Sequence, residues 1–189
     1  MVHSEHKTFT FLMCARLLKS KGIIEYADAV LLLRQKNLHF RCLLLGAEEK
    51  HPDAISFAQI FTWQQERGLF YLGFTDDVRP HLVKADCFVY PSYYNEGIPR
   101  SLMEACSMEL PVITTDNTGC RNLIQDGING FLCNKRDPVS LADKMENMMK
   151  FDTHHRAQMG RKGMEIVKAN YSIEKVVIFY TRILESFFG

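Results

Sequence analysis

Two carboxylates in the 189-residue sequence are spaced so that both could serve one ligand. Glu96 sits in a predicted loop and Glu104 about one turn into the helix that follows it. Carboxylates at different depths can each hold a diol through charge-assisted hydrogen bonds, one on a sugar and one on a ribose. Taken singly, each also fits an ordinary role. Glu104 suits an exposed helix surface, and Glu96 suits the positive end of a helix dipole.

Two cations occupy the loop before the first predicted helix. Arg16 and Lys21 lie within residues 15–22, where fixed positive charges beside a helix N-terminus suit a diphosphate that gains charge as a leaving group. The loop has one glycine, Gly22, and therefore lacks the G-x-G-x-x-G pattern of nicotinamide-dependent enzymes. On this loop alone, two solvated surface cations explain the pattern better.

Glycines give the later loops close access to a ligand. Gly97 and Gly119 allow close backbone approach. The backbone N–H groups near Ile98, Arg100 and Ser101 should point out of a helix start, where they could receive anionic or hydroxyl-rich groups.

Cysteine and histidine usage predicts no metal site. The six cysteines are scattered through apolar runs without a C-x-x-C pair, which is typical of small buried side chains in a reducing compartment. The seven histidines form neither an H-E-x-x-H motif nor a cluster with cysteines.

Composition excludes several classes of function. A formal net charge of +1 provides no global field for nucleic acid or an anionic membrane. The longest apolar run, residues 29–33, is far short of the roughly 20 residues that span a bilayer. Residues 1–7 are polar and lack a signal-peptide core, so we expect a cytoplasmic protein. A full-length form could in addition attach peripherally to the inner membrane.

Short apolar runs alternate with helical patterns along the chain. This alternation predicts a doubly wound, Rossmann-like α/β domain with a parallel sheet covered on both faces. Ligands of such sheets bind beyond the carboxyl ends of the strands, where these loops must lie. Strands are predicted at residues 9–14, 40–45, 69–72, 87–90, 112–115 and 131–133. Helices are predicted at residues 23–35, 54–67 with Asp53 as cap, 78–84, 100–107, 121–125, 138–150, 154–169 and from 173.

Five segments carry recognisable patterns. They are R-L-x-x-x-K-G at residues 16–22, a strand and loop at 71–78, A-D-x-x-x-x-P-S at 85–92, E-x7-E at 96–104 and G-x-N-G-x-L at 127–132. In this order they resemble glycosyltransferase family 4, specifically the C-terminal, nucleotide-sugar-binding half of an enzyme with the two-domain GT-B fold, and the resemblance covers nearly the whole chain. Residues 91–105 and 114–121 are similar, more narrowly, to those of bacterial members that build capsule, O-antigen or other lipid-linked glycans.

The resemblance implies roles for these residues. Arg16 and Lys21 would hold the donor diphosphate and stabilise its departure, Glu96 would contact the transferred sugar, and Glu104 would hold the ribose. The backbone of Gly97, Ile98, Arg100 and Ser101 would line the sugar and phosphate pocket. Gly73 and Phe74 would meet the base, largely through backbone groups. Family members retain the anomeric configuration and need no metal. The implied co-substrate is a nucleotide sugar, expected to be UDP-linked and to carry a hexose or N-acetylhexosamine, and the implied acceptor is a glycan or a lipid-linked glycan.

Four positions depart from the family pattern. Ala15, Pro99 and Glu109 stand where glycines are common, and Asn122 stands where a glutamate is common. None of them removes a proposed donor ligand, although the change at Asn122 leaves the role of that position open.

Length is the larger departure, because GT-B enzymes have two Rossmann-like halves. We expect residues 1–189 to form one donor-binding domain without the acceptor half, which would bind donor but transfer sugar poorly or not at all. Helix 172–188 would pack against the missing half, and its apolar face would otherwise be partly exposed or form a dimer contact. That face carries Val176, Val177, Phe179, Tyr180, Ile183 and Leu184. One alternative is a non-catalytic nucleotide-sugar-binding module. The other is a Rossmann oxidoreductase, which the missing G-x-G-x-x-G pattern disfavours.

Overall fold

A six-stranded parallel sheet forms the centre of the molecule, for which a computed structural model describes residues 8–188. The strand order is β3-β2-β1-β4-β5-β6, and every neighbouring pair is parallel. The predicted doubly wound α/β architecture is thereby confirmed. The strands are β1 (Phe9–Cys14), β2 (Phe40–Leu45), β3 (Leu69–Tyr71), β4 (Cys87–Tyr90), β5 (Val112–Thr115) and β6 (Gly130–Cys133).

Helices cover both faces of the sheet. One hydrophobic cluster lies between the sheet and α1, α2 and α6, and a second lies between the sheet and α3, α4, α5 and α7. Strands with apolar side chains on both faces need this double cover, which is why they are almost continuously hydrophobic. The helices are α1 (Ile23–Gln35), α2 (Phe57–Arg67), α3 (Arg79–Leu82), α4 (Arg100–Ser107), α5 (Thr118–Arg121), α6 (Pro138–Lys150), α7 (Thr153–Tyr171) and α8 (Ile173–Phe188).

Two helices begin three residues away from the predicted start because side chains cap elsewhere, and the bounds of α3 and α7 shift by one or two residues. Helix α2 begins at Phe57, where Ser56 caps it by accepting a hydrogen bond from the Gln59 N–H. Asp53, the predicted cap, instead accepts from the backbone N–H of Ser20 at 3.1 Å. Helix α5 begins at Thr118, after the Asn117 cap, and not near Arg121 as predicted.

The loops after β1 and β4 meet where the strand order reverses. The Ser20 carbonyl accepts hydrogen bonds from the N–H groups of Tyr93 and Tyr94 at 3.1 and 3.2 Å. Gly22 has a φ of +80°, and a Cβ there would lie 2.1 Å from the Pro91 carbonyl oxygen. Only glycine permits this approach, which places the two loops against each other at the carboxyl edge of the sheet.

Helix α4 ends in a Schellman motif that has a glutamate in the position usually taken by glycine. Glu109 has a φ of +56°. Its N–H donates to the Cys106 carbonyl, and the Leu110 N–H donates to the Ala105 carbonyl. This is the turn in which the family pattern has glycine, so the left-handed backbone is kept although the residue has changed.

Glu109→Gly is therefore expected to raise the free energy of unfolding by about 0.5–1 kcal/mol. A left-handed conformation costs an L-residue about 1–2 kcal/mol, and the greater flexibility of glycine in the unfolded chain offsets part of that gain. Urea denaturation would measure the difference. Glu109→Ala is the matched control, since it keeps a Cβ and removes the same carboxylate. Equal stabilities of the two variants would show that the turn is not strained.

The last helix presents an apolar face to solvent. Val177, Phe179, Tyr180 and Leu184 are between 55% and 60% exposed, whereas Ile183 is partly buried. The Val176 side chain and residues 1–7 lie outside the described part of the chain. That α8 packs on a further domain stays a prediction. None of the helices in residues 8–188 is long and apolar enough to cross a membrane.

Candidate functional site

A cavity of about 550 Å³ opens at the carboxyl edge of the sheet, between the loops after β1, β2, β3 and β4. A volume of this order suits a small-molecule ligand. The structure brings most of the predicted site residues together on its wall. Those lining it are Arg16, Lys21, Phe74, Glu96, Arg100, Ser101 and Glu104.

An ion pair joins Lys21, the predicted phosphate ligand, to Glu96, the predicted sugar ligand. The Lys21 Nζ lies 2.6 Å from Oε1 of Glu96. The Lys21 side chain is 5% exposed and that of Glu96 is 26% exposed, so solvent reaches this cavity wall mainly from the carboxylate side. Gly22 makes this possible, because its left-handed backbone lets the Lys21 segment lie directly against the β4–α4 loop.

Two hydroxyl groups converge on the same carboxylate oxygen. The Tyr90 hydroxyl donates to Glu96 Oε1 at 3.0 Å, and the Ser92 hydroxyl lies 3.4 Å from it. Burial, and secondly the Glu96 charge, raises the pKa of Tyr90 above its usual range, so the phenol stays a hydrogen-bond donor. Tyr90 is not among the residues predicted for the site, although as the last residue of β4 it lies at the carboxyl edge of the sheet.

Arg16 is the less constrained of the two predicted diphosphate ligands. Its side chain is 58% exposed, and its Nε lies 4.0 Å from Glu49. An exposed pair at this distance contributes little energy. The guanidinium is therefore available to an anion that enters the cavity beside Lys21.

Glu104 is paired with an arginine of its own helix. The Arg100 Nε donates to Glu104 Oε1 at 2.8 Å, across one turn of α4. The arginine side chain is 89% exposed and the glutamate 33% exposed. Burial, with a smaller contribution from Glu104, raises the pKa of Cys14 to about 11, so this thiol on the cavity wall stays neutral.

The remaining predicted residues lie beside the cavity wall. Gly73 precedes Phe74 and has a φ of +84°, and its carbonyl accepts a hydrogen bond from the Gly46 N–H at 3.0 Å. Ile98 packs into the second hydrophobic cluster. The carbonyl of Gly97 faces Gly119, at which a Cβ would lie 2.2 Å from that oxygen. Gly119 thus fixes the β4–α4 loop and does not line the cavity, and the ligand contacts of Gly73, Gly97 and Ile98 stay predictions.

Asn122, where the family pattern has a glutamate, is exposed. Asn122 caps the C-terminal end of α5, and its backbone carbonyl accepts from the Tyr171 hydroxyl at 3.3 Å. This contact uses the main chain, so it does not depend on the side chain at this position.

The described part of the chain has no cluster of metal-binding side chains. No group of three or more His, Cys, Asp or Glu side chains there is arranged to hold a metal ion. Five of the six cysteines are buried, as predicted, and Cys14 is partly buried.

Comparison with protein families gives a match over most of the chain. The model of a family described as glycosyl transferases group 1 matches residues 8–150. The chain is 27% identical over 157 residues to the capsular polysaccharide biosynthesis glycosyltransferase CapM of Staphylococcus aureus. It is 28% identical over 185 residues to the UDP-Gal:alpha-D-GlcNAc-diphosphoundecaprenol alpha-1,3-galactosyltransferase of Escherichia coli.

Those matches cover much of this chain but less than half of each relative. CapM is matched by 83% of this chain over 40% of its own length, and the galactosyltransferase by 92% over 46%. Among solved structures, Anabaena Alr3699/HepE in complex with UDP has a TM-score of 0.82 and 21% sequence identity, with 95% of this chain and 49% of that chain covered. This likeness shows the same fold in half of a larger protein.

Proposed function

Because the chain belongs to the group 1 glycosyltransferases, we propose that its large cavity is the donor site of a nucleotide-sugar-dependent glycosyltransferase. The ion pair between Lys21 and Glu96, with Arg16 on the same wall, is the observation that carries this proposal. It puts cations for a diphosphate beside a carboxylate for sugar hydroxyls. The family assignment replaces the oxidoreductase alternative.

The diphosphate would lie between Arg16 and Lys21. A nucleoside diphosphate gains negative charge as the bond to the sugar breaks, and cations on the cavity wall stabilise that charge. Arg100 and Ser101, the first residues of α4, line the same cavity, and the first N–H groups of a helix have no partner within it. These groups would take over the charge-neutralising work that a metal ion performs at other diphosphate sites.

Each of the two carboxylates would bind one sugar ring of the donor. Glu96, held by Lys21 and Tyr90, would accept hydroxyls of the transferred sugar. Glu104, farther along α4, would accept the ribose hydroxyls in exchange for Arg100. The base would then lie between Ala47 and Phe74 on the opposite wall.

Transfer itself is proposed for a full-length enzyme with both GT-B halves. The donor is proposed to be UDP-linked and the acceptor a glycan or lipid-linked glycan, as the names of the galactosyltransferase and CapM relatives indicate for those proteins. Retention of configuration belongs to the same proposal. The isolated chain is expected to bind donor and to transfer little sugar.

Thermal unfolding with added nucleotides tests the donor site. A ligand at about 100 times its dissociation constant stabilises a protein by about 2.7 kcal/mol, which should raise the midpoint of this chain by several degrees. We expect UDP and UDP-sugars to do so without divalent metal, and GDP and NAD not to. A shift with NAD alone would contradict the proposal.

Glu96→Ala is expected to separate sugar binding from nucleotide binding. We expect its affinity for UDP-glucose or UDP-N-acetylglucosamine to fall about tenfold, through loss of charge-assisted bonds worth about 1.5 kcal/mol. Affinity for UDP should stay within about twofold of the wild type or rise, because Lys21 loses its competing partner. Titration calorimetry would measure both ligands. An equal loss for UDP and the UDP-sugars would contradict this division of roles.

A further inference from the structure

A second cavity, of about 360 Å³, lies on the other side of Arg16 and Lys21. Both cations also line the 550 Å³ cavity of the proposed donor site, so they stand at the boundary between the two cavities. Besides the cations, its wall has Ser20 from the same loop and three polar residues from the β2–α2 and β4–α4 loops, namely His51, Asp53 and Tyr94. The proposed donor site does not use these three residues.

Backbone hydrogen bonds fix the β2–α2 side of this second cavity. The Asp53 N–H donates to Nδ1 of His51 at 3.0 Å, which leaves Nε2 as the protonated nitrogen of the neutral ring. Oδ2 of Asp53 accepts from the Ser20 N–H at 3.1 Å, and the described residues supply no hydrogen bond to Oδ1. His51 and Asp53, which both line the cavity, thus keep one donor atom and one acceptor atom that have no hydrogen-bond partner among the described residues.

Tyr94 lines the same cavity from the β4–α4 loop. Its N–H donates to the Ser20 carbonyl, and its carbonyl accepts from the Asn117 side chain at 2.6 Å. The side chain is 52% exposed, and its ring lies 5.1 Å from the Lys21 Nζ. The backbone of this aromatic residue is therefore fixed, while its ring and hydroxyl remain available to a ligand.

We propose that the second cavity is a pyranose-binding subsite for the sugar chemistry of this enzyme. An aromatic ring, a carboxylate oxygen and an imidazole N–H suit the apolar face and the hydroxyl groups of one sugar ring. The proposal rests on the proposed donor function, because the shared cations place this subsite beside the diphosphate and hence beside the bond that is broken.

The sugar in this subsite could come from the donor or from the acceptor, and two measurements distinguish the sources. In the donor arm, calorimetry compares UDP with UDP-N-acetylglucosamine and UDP-glucose. In the acceptor arm, saturation-transfer NMR follows methyl glucoside and methyl N-acetylglucosaminide, with and without UDP. The variants are His51→Ala and Tyr94→Leu. His39→Ala is the matched control, because His39 is exposed and directly precedes β2 at the opposite edge of the sheet.

We expect both variants, but not the control, to lower sugar binding at least fivefold in one arm while UDP affinity is unchanged. A loss for the UDP-sugars assigns the subsite to the donor sugar, and a loss for the glycosides assigns it to the acceptor. If UDP binds and both variants match His39→Ala in both arms, the subsite is wrong and the donor site stands. If UDP does not bind, the donor proposal fails, and the glycoside titration without UDP still decides whether the cavity holds sugar.

Discussion

Glu104→Ala is expected to weaken UDP binding roughly 10- to 150-fold. The proposed ribose contact consists of hydrogen bonds to an ionised carboxylate, and losing such bonds costs about 1.5–3 kcal/mol. In the free protein this carboxylate is held by Arg100 at 2.8 Å, so the ribose must displace an exposed ion pair. That exchange costs little, because an i,i+4 pair on a helix surface contributes only about 0.3–0.5 kcal/mol.

Titration calorimetry with UDP and with uracil-free ribose diphosphate would measure this loss. Glu66→Ala is the matched control, since Glu66 is an exposed glutamate near the C-terminal end of α2, at the opposite edge of the sheet. Arg100→Ala provides a second comparison and should leave UDP affinity unchanged or slightly higher. Wild-type affinity in Glu104→Ala would remove this residue from the donor site.

Lys21→Met is expected to cause a comparable loss of UDP affinity together with a loss of stability. The ammonium is nearly fully buried, and a diphosphate would receive a charge-assisted hydrogen bond from it worth about 1.5–3 kcal/mol. Methionine keeps most of the apolar stem. The stability loss, about 1–3 kcal/mol, arises because Glu96 is left without its cation in a partly buried site.

A double variant separates these two effects. Lys21→Met combined with Glu96→Gln removes both charges, so stability should recover towards that of the wild type while UDP affinity stays low. Urea denaturation and calorimetry on the same samples would show it. Lys19→Met is the control, because Lys19 is an exposed lysine of the same 3₁₀ turn. If UDP affinity recovered with stability, Lys21 would be a structural partner of Glu96 and not a phosphate ligand.

Spacing in the sequence predicts the ion pair of one of the two carboxylates but not that of the other. The pairing of Arg100 with Glu104 follows from a separation of four residues on one helix, which the sequence already contained. The pairing of Lys21 with Glu96 joins residues 75 positions apart. It depends on β1 and β4 lying side by side and on Gly22 approaching Pro91, and no local pattern specifies that contact.

By itself, the sequence determined the strands, most helix boundaries, the parallel architecture and the loops that meet at the carboxyl edge. These features follow from apolar runs, from caps such as Asp137 and from glycine and proline punctuation, all of which act over a few residues. The tertiary structure decided what long-range packing controls. It diverted Asp53 from capping α2 to holding Ser20, brought Lys21 to Glu96 and placed His51 and Tyr94 on the wall of one cavity. Each of these contacts joins loops from different strands, so their geometry exists only once the sheet has assembled.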